Sequence, residues 1–322
     1  MKRINVILFF LMFSSTSNSF SQACCSSGTP LSAQIGMEFL DSKNAVFSLA
    51  YDLNNLHDLF SGSEKLESDE RVRLSNNILF RVQYAFTNRL SLGFSLPYVI
   101  RSENITESLA NYSSLESSGL GDVLFQLNYA IKRSGMTNIL LSSALKIPSG
   151  SNEEVNEFNF VLPSDMQPGT GSWDFIIAGL TEVNSILGGH INFNLSLSAR
   201  FNGEGTRFDA KQSYHFGNAF QLISGLNYEL TLKKNYLIPS INISYRRTMR
   251  DLTNGALTPN SGGDWLNIIP GMSLYLANFK FLFSSAIPVF RFLEGTQLTT
   301  SYQFYFQLEY TIKSKNYGPQ NI

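Results

Sequence analysis

Charge is scarce in this chain, and what there is nearly cancels. Only 15% of the 322 residues are charged, and 24 basic side chains stand against 25 acidic ones, a net charge of -1. Soluble globular chains carry about a quarter charged residues, and nucleic-acid binders show a basic face or stripe. Cysteine is rarer still. Cys24 and Cys25 are the only two, too few for a disulfide framework, and three histidines leave little room for a histidine-rich metal centre. Long apolar runs are missing as well: past the first 21 residues no segment reaches the roughly eighteen uninterrupted apolar residues of a spanning helix. These absences argue against a nucleic-acid binder, a zinc-finger protein and a helical membrane protein, and no cofactor or metal is expected. What the chain does have is aromatic and apolar weight, with 26 Phe, 14 Tyr and 43% hydrophobic residues.

Residues 1–21 read as an export signal. Lys2 and Arg3 precede an apolar stretch from Ile4 to Phe13, and Ser19-Phe20-Ser21 supplies small residues for cleavage before Gln22. Without the leader, 22 basic residues remain against 25 acidic, or -3. The alternative, an uncleaved anchor, needs about 20 apolar residues, more than that stretch provides.

From about residue 45 the chain alternates with period two, which means strands rather than helices. Tyr302, Phe304, Phe306, Leu308, Tyr310 and Ile312 share one face, opposite Gln303, Gln307 and Glu309. Segments 189–201 and 120–132 behave alike. Twelve such segments are expected, at 44–52, 71–86, 90–100, 119–132, 138–147, 172–183, 189–201, 213–231, 236–247, 264–276, 279–290 and 300–313, with ten to fourteen strands left open because 44–52 and 213–231 alternate weakly. Short turns, such as Thr87-Asn88-Arg89 and Ala277-Asn278, alternate with longer polar links, chiefly 53–70, 101–118, 148–171 and 248–263. That alternation is the plan of an all-β, transmembrane, antiparallel up-and-down barrel of the bacterial outer membrane, with short turns and both termini in the periplasm. A soluble β-sandwich would alternate too. It fits less well with twelve strands, an export leader, and Tyr84, Phe86, Tyr98, Trp173, Tyr245 and Tyr310 placed as interfacial girdles would be. The expected organisation is a signal peptide (1–21), a periplasmic N-terminal segment (22–43), the barrel (44–313) and a periplasmic tail (314–322).

Three stretches form a pattern: Gly119-Leu120-Gly121-Asp122, then Leu145-Lys146-Ile147-Pro148-Ser149-Gly150, then Pro168-Gly169-Thr170-Gly171-Ser172-Trp173-Asp174. With Ala286-Ile287-Pro288-Val289-Phe290 and Gly295-Thr296-Gln297-Leu298, the pattern resembles the outer-membrane barrels grouped with the meta-pathway phenol-degradation protein family. The resemblance implies an outer-membrane channel or transporter passing small molecules, hydrophobic ones among them, and it does not imply catalysis. The partners to expect are outer-membrane lipid and lipopolysaccharide, the barrel assembly machinery and a small-molecule solute. Cys24 and Cys25 lie outside the shared motifs. A vicinal disulfide, a soft metal, lipidation of Cys24 and a partner protein all remain open for them.

Parity sorts the motif residues by chemistry. Asp122, Lys146 and Asp174 share the lumen face of three consecutive strands near one mouth, either as a solute-contact constriction or as a charge ladder that stabilises a polar lumen. Gly119, Gly121, Gly169 and Gly171 permit sharp turns or close packing there, and Pro148 with Gly150 ends a strand. Segment 148–171 carries Glu153, Glu154, Glu157 and Asp165. It would form a cation-favouring vestibule if folded inward, or a solvated external loop if not. Arg71, Arg73 and Arg81 share one parity, and an arginine facing lipid at the midplane costs about 2–4 kcal/mol, so they face the lumen. Gln126, Asn128, Asn192, Asn194, Arg200, Arg246, Glu229 and Glu309 join them, giving a lumen of both signs that Trp265, Tyr275 and Tyr305 would narrow. Two other classes remain. A structural or adhesive barrel would transport nothing. A rim lipid hydrolase would need a Ser–His pair, for which only Ser213 and His215 are placed, and no hydrolase motif surrounds them.

Overall fold

A computed structural model describes residues 37–67, 71–107, 111–186, 189–207 and 211–314. The expected leader, Cys24 and Cys25, and residues 315–322 lie outside the described residues. Eleven long elements close a ring: β1 (Ala45–Gly62), β2 (Arg71–Ala85), β3 (Leu90–Glu107), β4 (Val123–Ser134), β5 (Thr137–Ile147), β6 (Asp174–Ile186), β7 (Ile191–Asn202), β8 (Ala219–Tyr228), β9 (Asn235–Thr248), β10 (Gly263–Leu276) and β11 (Phe279–Ile312). Each pairs antiparallel with its neighbours in chain order, and β11 pairs with β1 to close the sheet. The described residues contain no α-helix.

Burial runs opposite to that of a soluble protein. Along β1, Phe47 and Leu49 are 38% and 51% exposed, while Ser48 between them is 4% exposed. The same inversion holds on β2, where Ile78, Phe80 and Tyr84 face out and Ser75, Asn77, Arg81 and Gln83 are buried. A polar interior inside an apolar outer belt suits a barrel set in lipid and disposes of the sandwich. The outer belt ends in exposed Tyr84, Phe86 and Tyr310 near the short turns, and in Tyr98 and Trp173 near the long links. Tyr245 is half-buried, its hydroxyl donating to Asp264 at 2.6 Å.

Several expected boundaries need correction. The links 53–70 and 101–118 are largely strand. β1 continues to Gly62, and β3 continues to Glu107 and pairs with a returning strand, Asn111–Leu120. Beyond the lipid no outward apolar face is required, so the period-two signal fades while the ladder continues. Segment 213–231 is not one strand. Gln212–His215 leaves the barrel and pairs with Glu204–Arg207 and Leu252–Thr253, the latter also pairing with Ala256–Leu257. This separate four-stranded sheet belongs to the long-link end. The segments 279–290 and 300–313, expected as two strands, run together in the 34-residue element β11, whose first part, to Leu293, pairs with β10 and whose last part pairs with β1.

Residues 37–41 enter the barrel from the short-turn end. Met37 packs on inward-facing Ala130, Leu140 and Leu180. Glu38 meets Lys280 at 2.6 Å, and Lys280 also meets Glu309 at 2.7 Å. The described chain ends meet here too, with Ser314 N–H donating to Asn44 Oδ1 at 3.0 Å.

Candidate functional site

Lys146, near the end of β5, is set by register against Asp174 at the start of β6. Asp122 arrives by a different route. On β3, Tyr98 pairs with Leu120 and Ser95 with Leu124, so residues 121–123 face only residues 96–97. The surplus residue makes a β-bulge, closed by Gly121 N–H on Pro97 O at 2.8 Å, and a bulge re-aims side chains. Asp122 therefore stands at the bulge before β4, not inside the continuous strand expected over 119–132. The structure brings the three together: Lys146 Nζ lies 2.9 Å from Asp122 Oδ2 and 2.7 Å from Asp174 Oδ2, all three fully buried.

One ammonium does not balance two carboxylates, and neutral donors supply the rest. Asp122 accepts from Gly150 N–H (3.0 Å), Thr170 N–H (2.9 Å) and Thr170 Oγ1 (2.6 Å). Asp174 Oδ1 accepts from Ser172 Oγ (2.8 Å) and Gly203 N–H (3.2 Å). Hydrogen bonds to an ionised acceptor are the strong ones, and four of these five come from the 148–173 link. The motif glycines make that approach possible. A Cβ on Gly169 would lie 2.4 Å from Gly150 O, and one on Gly150 would lie 2.8 Å from Leu120 O. Pro148 follows the last paired residue of β5, and Gly171 turns with φ +71°. Gly119 sits against the Pro168 ring, and at Gly121 a Cβ would meet the Pro97 ring at 2.9 Å.

The link then crosses into the mouth. Its short 3-10 turn, Ser164–Met166, carries Asp165 to an ion pair with Arg73 on β2. Arg73 Nη2 also lies 2.6 Å from Glu103 on β3, and Arg71 pairs with the same carboxylate. Ser117 Oγ donates to Met166 O, and Gln167 bridges Glu154 and Leu162 within the link. Residues 165–170 are buried, while the tip keeps Phe158 and Phe160 68% and 70% exposed. Of the four acids in the link only Asp165 is buried, its charge met by Arg73, and Glu157 stays exposed.

Asp251 knots the four-stranded sheet beside this link. Its carboxylate accepts from Tyr214 Oη (2.5 Å) and Gly217 N–H (2.7 Å). Burial pushes its pKa up to about 6 against those two bonds, with Asp165 raising it and His215 lowering it. The unfolded value is about 3.9, so the folded state holds the extra proton between those limits. The sheet's stability therefore falls as pH rises from about 4 through 6 and levels off above. Amides of residues 214–217 and 251–258 should exchange more readily at pH 7.5 than at pH 4.5 after correction for intrinsic rates, and Asp251→Asn should flatten the difference. Equal protection at both pH values would refute this.

Below the mouth the remaining lumen residues line the wall. Arg81, Gln126, Asn128, Arg200 and Glu309 are buried, and Asn192, Asn194, Glu229 and Arg246 are half-buried, as is Arg71 at the mouth itself. Gln126 Nε2 donates to Asn128 Oδ1 and Ser142 Oγ, both at 2.9 Å. Trp265 and Tyr305 are buried inside, and half-buried Tyr275 lines a cavity of about 620 Å³ at the short-turn end along with Asn192, Asn194 and Lys280. Ser213 and His215 stand in the four-stranded sheet, where Ser213 N–H donates to Asn254 Oδ1 at 2.9 Å. Sequence reasoning did not assign Glu103, Thr170, Ser172, Glu38 or Lys280. Glu103 had a usable signal, since register places it opposite Arg73 once β3 is allowed past residue 100.

A family model described as "Putative MetA-pathway of phenol degradation" matches residues 75–284. The first three motif stretches fall within the match, and Ala286–Phe290 and Gly295–Leu298 lie beyond it. No curated protein matches the sequence. Among solved structures, an outer membrane channel from Pseudomonas putida F1 superposes with a TM-score of 0.68 at 12% identity, covering 88% of this chain and 99% of that one. The β domain of a Bordetella autotransporter gives 0.49 at 7% identity, covering 84% and 100%. At 12% identity what the channel shares with this chain is the barrel fold.

Proposed function

We propose, for a chain that belongs to the MetA-pathway phenol-degradation family, an outer-membrane channel that passes small molecules, hydrophobic ones among them, by diffusion through a polar lumen. The observation that carries this reading is a cavity of about 620 Å³ at the short-turn end of a polar-walled interior, with the buried stem of the 148–173 link at the other end. The link is the constriction. Asp122, Lys146 and Asp174 anchor it and do not contact solute, because their charges are engaged with one another and with the link's own donors. The short turns and both chain ends face the periplasm, the long links face outward, and the apolar belt faces lipid and the inner portion of lipopolysaccharide.

The barrel counts as twelve strands in this reading. A ring whose neighbours are all antiparallel needs an even number, and the element to divide is β11. Gly295 within it has φ +84°. Thr311 N–H donates to Asn278 O at 2.9 Å, and Phe283 stacks on Phe304, contacts that require the run to fold back on itself.

Purified protein in liposomes should permit swelling by small neutral solutes, and a variant lacking residues 151–167 should permit more. No swelling from either, with the heat-modifiable gel shift of a folded barrel intact, would sink the channel reading. It would favour a structural barrel without transport.

A further inference from the structure

We propose that Arg200 and Arg246 form a binding site in the lumen for a small organic anion, a carboxylate with an apolar body. The inference rests on the channel reading for its purpose, naming what the lumen selects, but the site itself is a matter of binding.

Arg200 on β7 and Arg246 on β9 flank β8, pairing with Ala219 and Gln221 respectively. Arg200 is only 2% exposed, yet its Nε and Nη2 are buried without a hydrogen-bond partner. Arg246 Nε is in the same condition, as are Gln221 Oε1 and Ser196 Oγ on the same three strands. Buried guanidinium N–H groups left unpaired are costly and rare, so a cluster of them needs an occupant.

The neighbouring carboxylates do not supply one. Asp174 and Asp122 attract Arg200 from a distance, but Lys146, Ser172, Thr170 and Gly150 already engage them. Arg246 repels Arg200. Among the described residues neither arginine enters an ion pair, and two like charges held together in a buried place are stabilised by an anion between them. A carboxylate accepts from planar guanidinium groups in pairs.

The apolar body follows from the next strand, β10, where Trp265 pairs with Arg246. The Arg246 guanidinium lies 4.1 Å over the Trp265 ring. Trp265 packs in a buried cluster with Leu56, Leu293 and Leu298. Access comes from below: Ser196, Ile223 and Asn242 line the 620 Å³ cavity and lie on the same three strands, toward the short turns from Arg200, Gln221 and Arg246. The guanidinium groups lie beyond that lining, so an anion would reach them past Ser196, Ile223 and Asn242 and meet the indole beside Arg246.

The chain has two tryptophans, Trp173 and Trp265, so Trp173→Phe leaves the lumen indole as sole reporter. Titrating that variant with benzoate should change its fluorescence saturably, while neutral benzamide should not. Arg200→Gln should weaken the response about tenfold or more, the loss expected for a charge-assisted bond, and Arg246→Gln should weaken it as well. Equal responses to benzoate and benzamide, no saturation, or an unaltered response in a folded Arg200→Gln barrel would overturn the site. If neither arginine variant folds by gel shift, the benzoate–benzamide contrast in the Trp173→Phe protein decides. Liposome swelling separates the two claims: binding without flux sinks the channel reading and keeps the site, and flux without binding does the reverse.

Discussion

Lys146→Met should cost the barrel about 3–5 kcal/mol, the usual loss when one partner of a buried ion pair is removed. The substitution keeps the length of the side chain and takes away only its charge, so packing contributes little. What remains is two buried carboxylates with a single cluster of neutral donors between them. Without the ammonium the two carboxylates repel each other uncompensated, and moving them apart forfeits strong bonds to Thr170 or Ser172. The inward link hangs on those bonds, so the variant should lose protection of residues 165–172 to protease before the barrel unfolds. Urea unfolding in lipid, followed by tryptophan fluorescence and gel shift, gives the number. Adding Asp122→Asn and Asp174→Asn to Lys146→Met should recover much of the loss, because it removes the uncompensated charges. A loss below about 1 kcal/mol for Lys146→Met would mean that water reaches the site and that the ion pairs are those of a surface.

The parts of this molecule that sequence could show are those that lipid dictates. Tyr302 to Ile312 had to be apolar on one face and free on the other, so strand and parity were both legible there. Lys146 and Asp174 followed from parity plus the order of consecutive strands. Asp122 needed one thing more, a bulge at Gly121, and parity counted through a bulge misplaces the residue even when it names the right face. Where lipid ends, so does legibility. Arg73 was assigned to the lumen, but its partners Glu103 and Asp165 lie in stretches that look like polar links, one of them strand and the other a folded-in turn. Segment 213–231 alternated poorly because it is two things: a strand of the outer sheet over 212–215 and a barrel strand from Ala219. The unpaired guanidinium atoms of Arg200 and Arg246 were invisible in principle, since which donors lack partners is a property of packing in three dimensions.

Asp165→Asn tests the link from its far end. It removes one charge-assisted bond to Arg73 and leaves Arg73 paired with Glu103, and Arg71 with the same carboxylate, so the barrel wall keeps its ion pairs. Such a bond is worth about 1.5–3 kcal/mol, which raises the population of a displaced link by roughly tenfold to a hundredfold. With the stem of the link as the constriction, that shift should appear as more frequent or longer open states in planar-bilayer recordings, with little change in unfolding midpoint. Glu157→Gln, on the exposed tip of the same link, removes an equal charge that touches neither Arg73 nor the wall, and should leave the recordings as they were. Conductance identical in Asp165→Asn and the parent would show that the Arg73 contact does not hold the mouth shut. The anchor at Asp122, Lys146 and Asp174 would then carry the closure alone, and Lys146→Met would be the variant to open it.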